Sequence, residues 1–305
     1  VRETSNRQNL EGLDLEVVIG DLRDISSLRR ALKGCASLYH VAADYRLWTP
    51  EPEELYTTNV DGTRNLMRAA GEVGLTRIVY TSSVAVLGLT KDGTSSTEEE
   101  PVHLSDMTGH YKRSKFLAEE LVRTMYVDEG LPIVIVNPSM PVGARDLKPT
   151  PSGRIIVDFI NGRMPAYVDT GLNLVHVDDC ALGHRLAFEK GRVGERYILG
   201  GENHSLKSIL RILSNLSGRR VPRLRLPHQI LFPFAFGSEA WSRISGSETR
   251  LTRDALRMAQ KKMFFSSEKA KTELNFSSRS AEEALSDAVT WFSDNNYFRM
   301  PIDKR

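Results

Sequence analysis

Short apolar runs alternate with amphipathic helical stretches through the first half of this chain, a rhythm that confines it to an α/β fold with a parallel sheet. The runs suited to strands are Leu15–Gly20, Ser37–Ala42, Arg77–Ser82 and Pro132–Asn137. Each is rich in Val, Ile or aromatic residues and too short for a core helix. Between them the pattern predicts helices over Ile25–Leu32, around Glu53–Val73 and over Gly109–Glu129. The polar stretch Lys91–Glu100 reads as a surface loop. Beyond about residue 150 the rhythm loosens. Helices are expected there at Gly153–Gly162 and Asp178–Lys190, and strands at Leu174–Val177 and Arg196–Leu199. A helical tail follows, centred on Ser205–Leu216, Thr252–Met258, Ser267–Leu274 and Ala281–Phe292.

A chain of 305 residues can bury one large α/β core, or one core and a smaller lobe. Its 41 basic and 39 acidic residues leave a formal charge of +2, too even to suggest nucleic acid or a membrane surface as a partner. Cys35 and Cys180 support neither a disulfide framework nor a thiolate metal site, and apolar packing in a reducing cytoplasm is expected for both. No segment approaches the roughly 20 apolar residues of a membrane span. The longest run, Ile230–Phe236, is interrupted by a proline.

Chemistry concentrates at Tyr111-Lys112-Arg113-Ser114-Lys115. Residues four apart share a helix face, so Tyr111 and Lys115 point together. A tyrosine of ordinary pKa near 10 is a poor acid–base group at neutral pH, and an ammonium beside it favours the phenolate. Such a pair could move the proton of a carbonyl or hydroxyl while a hydride moves. The spacing alone is weak, because coincidence produces it readily. Thr81-Ser82-Ser83 upstream strengthens it by placing hydroxyls at the carboxyl end of a predicted strand, where open α/β sheets bind ligands. A hydroxyl there can stabilise charge on a reacting oxygen, or merely cap the strand. No metal site is read from His176, Asp178 and Asp179, since either aspartate suits the N-cap of the helix that follows. His40 and His184 read as structural.

The series GDLRD (Gly20–Asp24), HVAA (His40–Ala43), NVDGTRNL (Asn59–Leu66), YTSS (Tyr80–Ser83), YKRSK (Tyr111–Lys115), NP (Asn137–Pro138) and HVDD (His176–Asp179) spans nearly the whole chain. In order and spacing it resembles the extended short-chain dehydrogenase/reductases, the NAD-dependent epimerase/dehydratase family. The resemblance implies a Rossmann-like doubly wound parallel sheet with a smaller α+β substrate lobe. It places an NAD(P)-binding domain at residues 1–150 and the lobe at 151–305, with 175–200 returning to the first domain. It also implies Ser83, Tyr111 and Lys115 as a catalytic triad, Ser83 being the third residue of the T-S-S run. Asn59 corresponds to the asparagine that steadies the active-site backbone and a water. Asp21 and Leu22 would meet the adenine, and Val41, Ala42 and Ala43 would run beneath the ribose and pyrophosphate. Thr81, Tyr111 and Lys115 would also touch the cofactor, with Pro138 and Ser139 beside the nicotinamide. A small-molecule substrate is implied, as is a homodimer through the long helices Glu53–Val73 and Gly109–Glu129.

The family's Gly-x-x-Gly-x-x-Gly turn, which seats the pyrophosphate on a helix N-terminus, does not occur before Leu15. Val1-Arg2 resembles the end of the family's second strand, so roughly one βα unit is expected upstream and the sheet is expected to be N-terminally truncated. Leu15–Gly20 and Ser37–Ala42 would then not pair. Arg2 stands where an arginine would favour the 2′-phosphate of NADP(H) over NAD, unless it is simply solvated. His40–Trp48, Asn137–Ile156, Gly194–Asn203 and Arg257–Ala270 are similar to bacterial hopanoid-associated sugar epimerases, themselves similar to dihydroflavonol 4-reductases. The expected activity is oxidoreduction or epimerisation at a carbinol carbon of a sugar or polyol derivative. A dihydroflavonol- or hydroxysteroid-type ketone reductase is the alternative, and a non-catalytic dinucleotide sensor a third. Arg145, Lys148 and Arg154 could bind a nucleotide diphosphate or remain solvated.

Overall fold

A computed structural model of the chain describes residues 1–245 and 252–298. They form two compact units: Val1–Ser82, His103–Val136 and Ala187–Arg196 in the first, and Ser83–Val102, Asn137–Leu186 and the residues from Tyr197 onward in the second.

In the first unit, Leu15–Gly20 joins no sheet, contrary to the strand predicted from its sequence. Gly20 N–H donates to Val1 O at 2.9 Å, and the Val1 amino group to Val18 O at 2.9 Å. Strand propensity fits residues to a pleated, half-buried surface but cannot supply a partner ladder. Leu15, Val17, Val18 and Ile19 are accordingly exposed. Helix α1 (Ile25–Leu32) forms where predicted, because the Asp24 carboxylate accepts the Ser26 N–H at 2.9 Å and caps it.

Strands β1 (Ser37–His40), β2 (Arg77–Thr81) and β3 (Ile133–Pro138) run parallel, with His40 beside Tyr80 and Tyr80 beside Ile135. β1 stops short of the predicted Ala42, and Val41 and Ala42 emerge exposed beyond it. Glu53–Val73 is not one helix. Helices α2 (Glu53–Tyr56) and α3 (Gly62–Val73) flank a π-helical turn at Thr57–Asp61. The wider turn rotates its side chains relative to a regular helix and leaves Asn59 buried. Helix α4 (Gly109–Glu129) matches its prediction and ends at Gly130, whose left-handed φ of 66° suits a residue without a Cβ. Leu66 and Met67 of α3, Ala118 and Val122 of α4, and Ile78, Tyr80, Ile133 and Ile135 of the sheet make one core.

The second unit holds a sheet in the order β4 (Met140–Val142), β6 (Gly171–His176), β8 (Glu202–Ser205), and a pair of β5 (Ala166–Tyr167) with β9 (Leu224–Arg225). Strand β7 (Arg196–Leu199) follows β3 in the order β1-β2-β3-β7, and the boundary between the units falls within both strands. Helices α5 (Pro151–Ile160), α7 (Leu206–Ser217) and α11 (Ala281–Asp294) enclose Ile156, Phe159, Leu210, Leu213, Leu285 and Phe292. The remaining helices are α6 (Val177–Lys190), α8 (His228–Ser245), α9 (Arg253–Ala259) and α10 (Glu268–Leu274). Sequence patterning missed β8, whose Glu-Asn-His-Ser carries no apolar alternation. It is held instead by its backbone ladder to β6 and by the Asn173 amide donating to Asn203 Oδ1 at 2.7 Å. Patterning also missed α8, where Pro233 lies inside the helix. Cys180 is buried as expected, but Cys35 is exposed, at the end of the turn that follows α1.

Candidate active site

On α4, Lys115 is 4 % exposed, and its Nζ donates to the carbonyl of Thr81 at the end of β2, at 2.9 Å. The ammonium also lies 5.1 Å from the centroid of the Tyr80 ring. Burial lowers the Lys115 pKa to about 8, although the nearby Glu119 carboxylate opposes the fall. Next to it, His40 shares a hydrogen bond with Thr63 Oγ1 at 3.0 Å. Burial, with the Lys115 charge adding to it, pushes the His40 pKa down to about 3 and keeps the ring neutral. Tyr111 stands half-buried one turn before Lys115, and the Ser114 hydroxyl donates to the Tyr111 carbonyl at 2.9 Å.

Asn59 is tied on both sides of its amide. Its Oδ1 accepts the Asp44 N–H at 2.8 Å, and its Nδ2 donates to Asp44 O at 2.9 Å and Ser114 Oγ at 3.0 Å. One side chain thus fastens the segment after β1 to the helical turn that carries Tyr111 and Lys115. Sequence reading found Asn59 but not its partners. Asp44 and Ser114 are unremarkable until the π-turn brings them together.

In the second unit, the Ser83 hydroxyl accepts the Ala85 N–H at 3.1 Å and caps the short turn Val84–Val86. The Ser83 carbonyl accepts from Asn137 Nδ2 at 3.2 Å. Capping occupies an acceptor site of the hydroxyl and leaves its proton available to another group. Pro138 is buried at the end of β3. The buried Ser139 Oγ has no hydrogen-bond partner. A cavity of about 210 Å³ is lined by Val142, Arg145, Asp146, Ile156 and Phe292 among others. Of the three basic residues considered for a diphosphate, Arg145 lines this cavity, whereas Arg154 Nε donates to Pro149 O at 3.0 Å.

The model of the NAD dependent epimerase/dehydratase family matches residues 1–200. This chain belongs to that family. As a family member it is an NAD(P)-dependent enzyme of the short-chain dehydrogenase/reductase type. It is 42 % identical to a dihydroflavonol 4-reductase-like protein of Synechocystis, over 98 % of this chain and 88 % of the relative. It is 35 % identical to sterol demethylase protein B of Methylococcus capsulatus, over 96 % and 90 %. A solved nucleoside-diphosphate-sugar epimerase of Pseudomonas aeruginosa superposes with a TM-score of 0.78 at 27 % identity, over 97 % of this chain and 89 % of that one.

Family membership brings a dinucleotide to this fold, and several residues fit one. The orphaned Ser139 hydroxyl is a buried polar atom in search of a partner, and burial without one is costly. The Leu22 segment is clamped: Asn65 Nδ2 donates to Leu22 O at 3.0 Å, and a Cβ added at Gly62 would come within 2.7 Å of Leu22 Cβ. The glycine of NVDGTRNL is therefore a requirement of close packing. Asp21 is held near pKa 2 by the guanidinium of Arg23, which it meets at 2.7 Å. Asp178 and Asp179 do not serve as the predicted cap. Helix α6 already begins at Val177, and Asp179 instead accepts the Arg279 N–H at 2.7 Å and its Nη2 at 2.9 Å.

Proposed function

We propose that the enzyme interconverts a secondary carbinol and a ketone on a sugar or polyol derivative, and that Tyr111 moves the hydroxyl proton. The observation that carries this reading is the buried Lys115 ammonium, anchored to Thr81 O one helical turn from Tyr111. A cation fixed there favours the Tyr111 phenolate, which takes the carbinol proton in oxidation and returns it in reduction. Ser83 donates its free proton to the reacting oxygen, and Asn59 keeps the α4 turn in register. The dinucleotide, when bound, supplies or accepts the hydride. Asp21, Leu22, Val41, Ala42, Ala43, Thr81, Tyr111, Lys115, Pro138 and Ser139 would hold it. Arg2 and Arg23 both act on the Asp21 carboxylate, and this local positive charge supports NADP(H) over NAD.

The Pseudomonas epimerase and the motif resemblance to hopanoid-associated sugar epimerases favour a nucleotide-linked sugar, with Arg145 toward its diphosphate. The Synechocystis and Methylococcus relatives favour a second reading, reduction of a flavonoid- or sterol-like ketone on the same machinery. Nicotinamide absorbance separates them. Product without net cofactor turnover marks an epimerase, and stoichiometric oxidation of NADPH marks a reductase. Loss of neither reaction in Tyr111→Phe would overturn the assignment of Tyr111.

A further inference from the structure

Helix α8 carries an apolar stripe that faces outward. At 3.6 residues per turn, Ile230, Phe234 and Trp241 fall within about 40° of one another around the helix axis. They are 56 %, 66 % and 66 % exposed. The opposite side carries Ala235, Glu239 and Ser242, all buried. That inward side is fastened to α9, because Glu239 accepts the Arg253 N–H at 2.7 Å and its Nε at 2.8 Å. Half-buried Leu231 and Phe232 lie toward that inward side, and the exposed Phe236 ring lies under the Arg253 guanidinium, whereas Ile230, Phe234 and Trp241 form a bulky apolar stripe that faces outward.

The even overall charge of the chain conceals a local excess at the start of this helix. Arg219, Arg220, Arg223 and Arg225 lie just ahead of His228. Arg225 is paired with Asp169 and Arg219 donates to Ile160 O, whereas Arg220 and Arg223 are exposed. The His228 ring meets Ala259 O at 3.1 Å, which brings the exposed Lys261 and Lys262 to the same end. An outward stripe of Ile, Phe and Trp near exposed Arg and Lys complements a surface that is apolar beneath and anionic above.

We infer that α8 is a peripheral membrane-docking helix, laid by its Ile230–Phe234–Trp241 face on a bilayer bearing anionic headgroups. Trp241 sits at the headgroup level, Phe234 and Ile230 enter the acyl boundary, and Arg220, Arg223, Lys261 and Lys262 meet the lipid phosphates. The inference stands apart from the proposed substrate, since a surface-bound enzyme can act on a soluble or a lipid compound.

Co-sedimentation of the 305-residue chain with phosphatidylcholine vesicles, with and without about 30 % phosphatidylglycerol, tests it. Binding to the anionic vesicles, weakened by raised salt, is expected. Phe234→Ser with Trp241→Ser, or Arg220→Glu with Arg223→Glu, should each lower vesicle affinity by about tenfold or more. These side chains are exposed, and an unchanged circular dichroism spectrum confirms that each variant folds. Trp241→Phe should bind vesicles but lose the blue shift of tryptophan emission seen with the parent chain. Failure to bind anionic vesicles, or equal binding by the parent and the Ser double variant, overturns the inference. So does a parent dimer that the Ser variant converts to monomer in light scattering without vesicle binding, which would give the face to a second copy.

Discussion

Lys115 is a lysine at 4 % exposure, and its electrostatics set two measurable behaviours. Burial holds its pKa at about 8 against an ordinary value of 10.5, so between these values the unfolded chain binds a proton that the folded chain has lost. Stability therefore rises with pH across that window, and below about pH 8 the buried ammonium costs stability. A Lys115→Met variant should lack this rise, which in the parent reaches at most about 1.4 kcal/mol per pH unit. Urea unfolding at intervals from pH 7 to about pH 10 checks it, and parallel pH profiles would refute it. Under the proposed mechanism the same variant also weakens NAD(P) binding, whereas Tyr111→Phe spares cofactor affinity and lowers turnover by about 10²-fold or more. Fluorescence titration with NADPH beside steady-state rates separates the two. Equal loss of affinity in both variants would contradict these roles.

Among the elements, α3 shows glycines doing different work at its two ends, Gly62 as its first residue and Gly74 just after its last. Gly62 has ordinary helical dihedrals, yet an added Cβ would strike Leu22 at 2.7 Å. Gly74 ends α3 at a φ of 76° with open space around it. Gly62→Ala should cost about 1–3 kcal/mol by overpacking and, by displacing Leu22, also weaken cofactor binding. Gly74→Ala should cost about 1 kcal/mol through backbone strain alone and leave binding unchanged. Thermal unfolding and NADPH titration of both variants decide the matter, and the distinction fails if Gly62→Ala binds normally. Most helices were legible because their apolar faces repeat every 3.6 residues, and some carry their own cap, as Asp24 does for α1. The π-turn at Thr57–Asp61 was not, since nothing in Thr-Thr-Asn-Val-Asp announces an i→i+5 bond. Its consequence, the Asn59 clamp between Asp44 and Ser114, was hidden with it.

At the scale of the whole molecule, exposed large apolar side chains cluster on α8 and along the stretch from Leu13 to Ile19, while others such as Val127 and Leu224 are exposed elsewhere among the described residues. The second differs in kind, because Leu15–Gly20 is a strand-like run whose backbone lies outside any sheet. Apolar edges of this sort promote association. The 305-residue chain should self-associate at micromolar concentration, and Val17→Thr with Ile19→Thr should reduce this while shifting stability by no more than about 0.5 kcal/mol. Sedimentation velocity measures it, and an unchanged distribution would exclude this stretch as the contact.

Sequence alone determined the alternation of helix and strand from α1 to β3 and the motifs that name the family, because both reside in local patterns: a period of two or 3.6, a capping side chain, a hydroxyl run or a Tyr-x-x-x-Lys spacing. It brought Tyr111 and Lys115 to one helix face without knowledge of any partner. Tertiary structure decided whatever depends on a distant neighbour. Leu15–Gly20 has strand residues but no ladder, Asp179 left its expected cap for Arg279, and the four polar residues of β8 became a strand against β6. Lys115 acquired its low pKa by burial beneath Thr81 and Tyr80, and burial is a property of the packed chain and not of the residue.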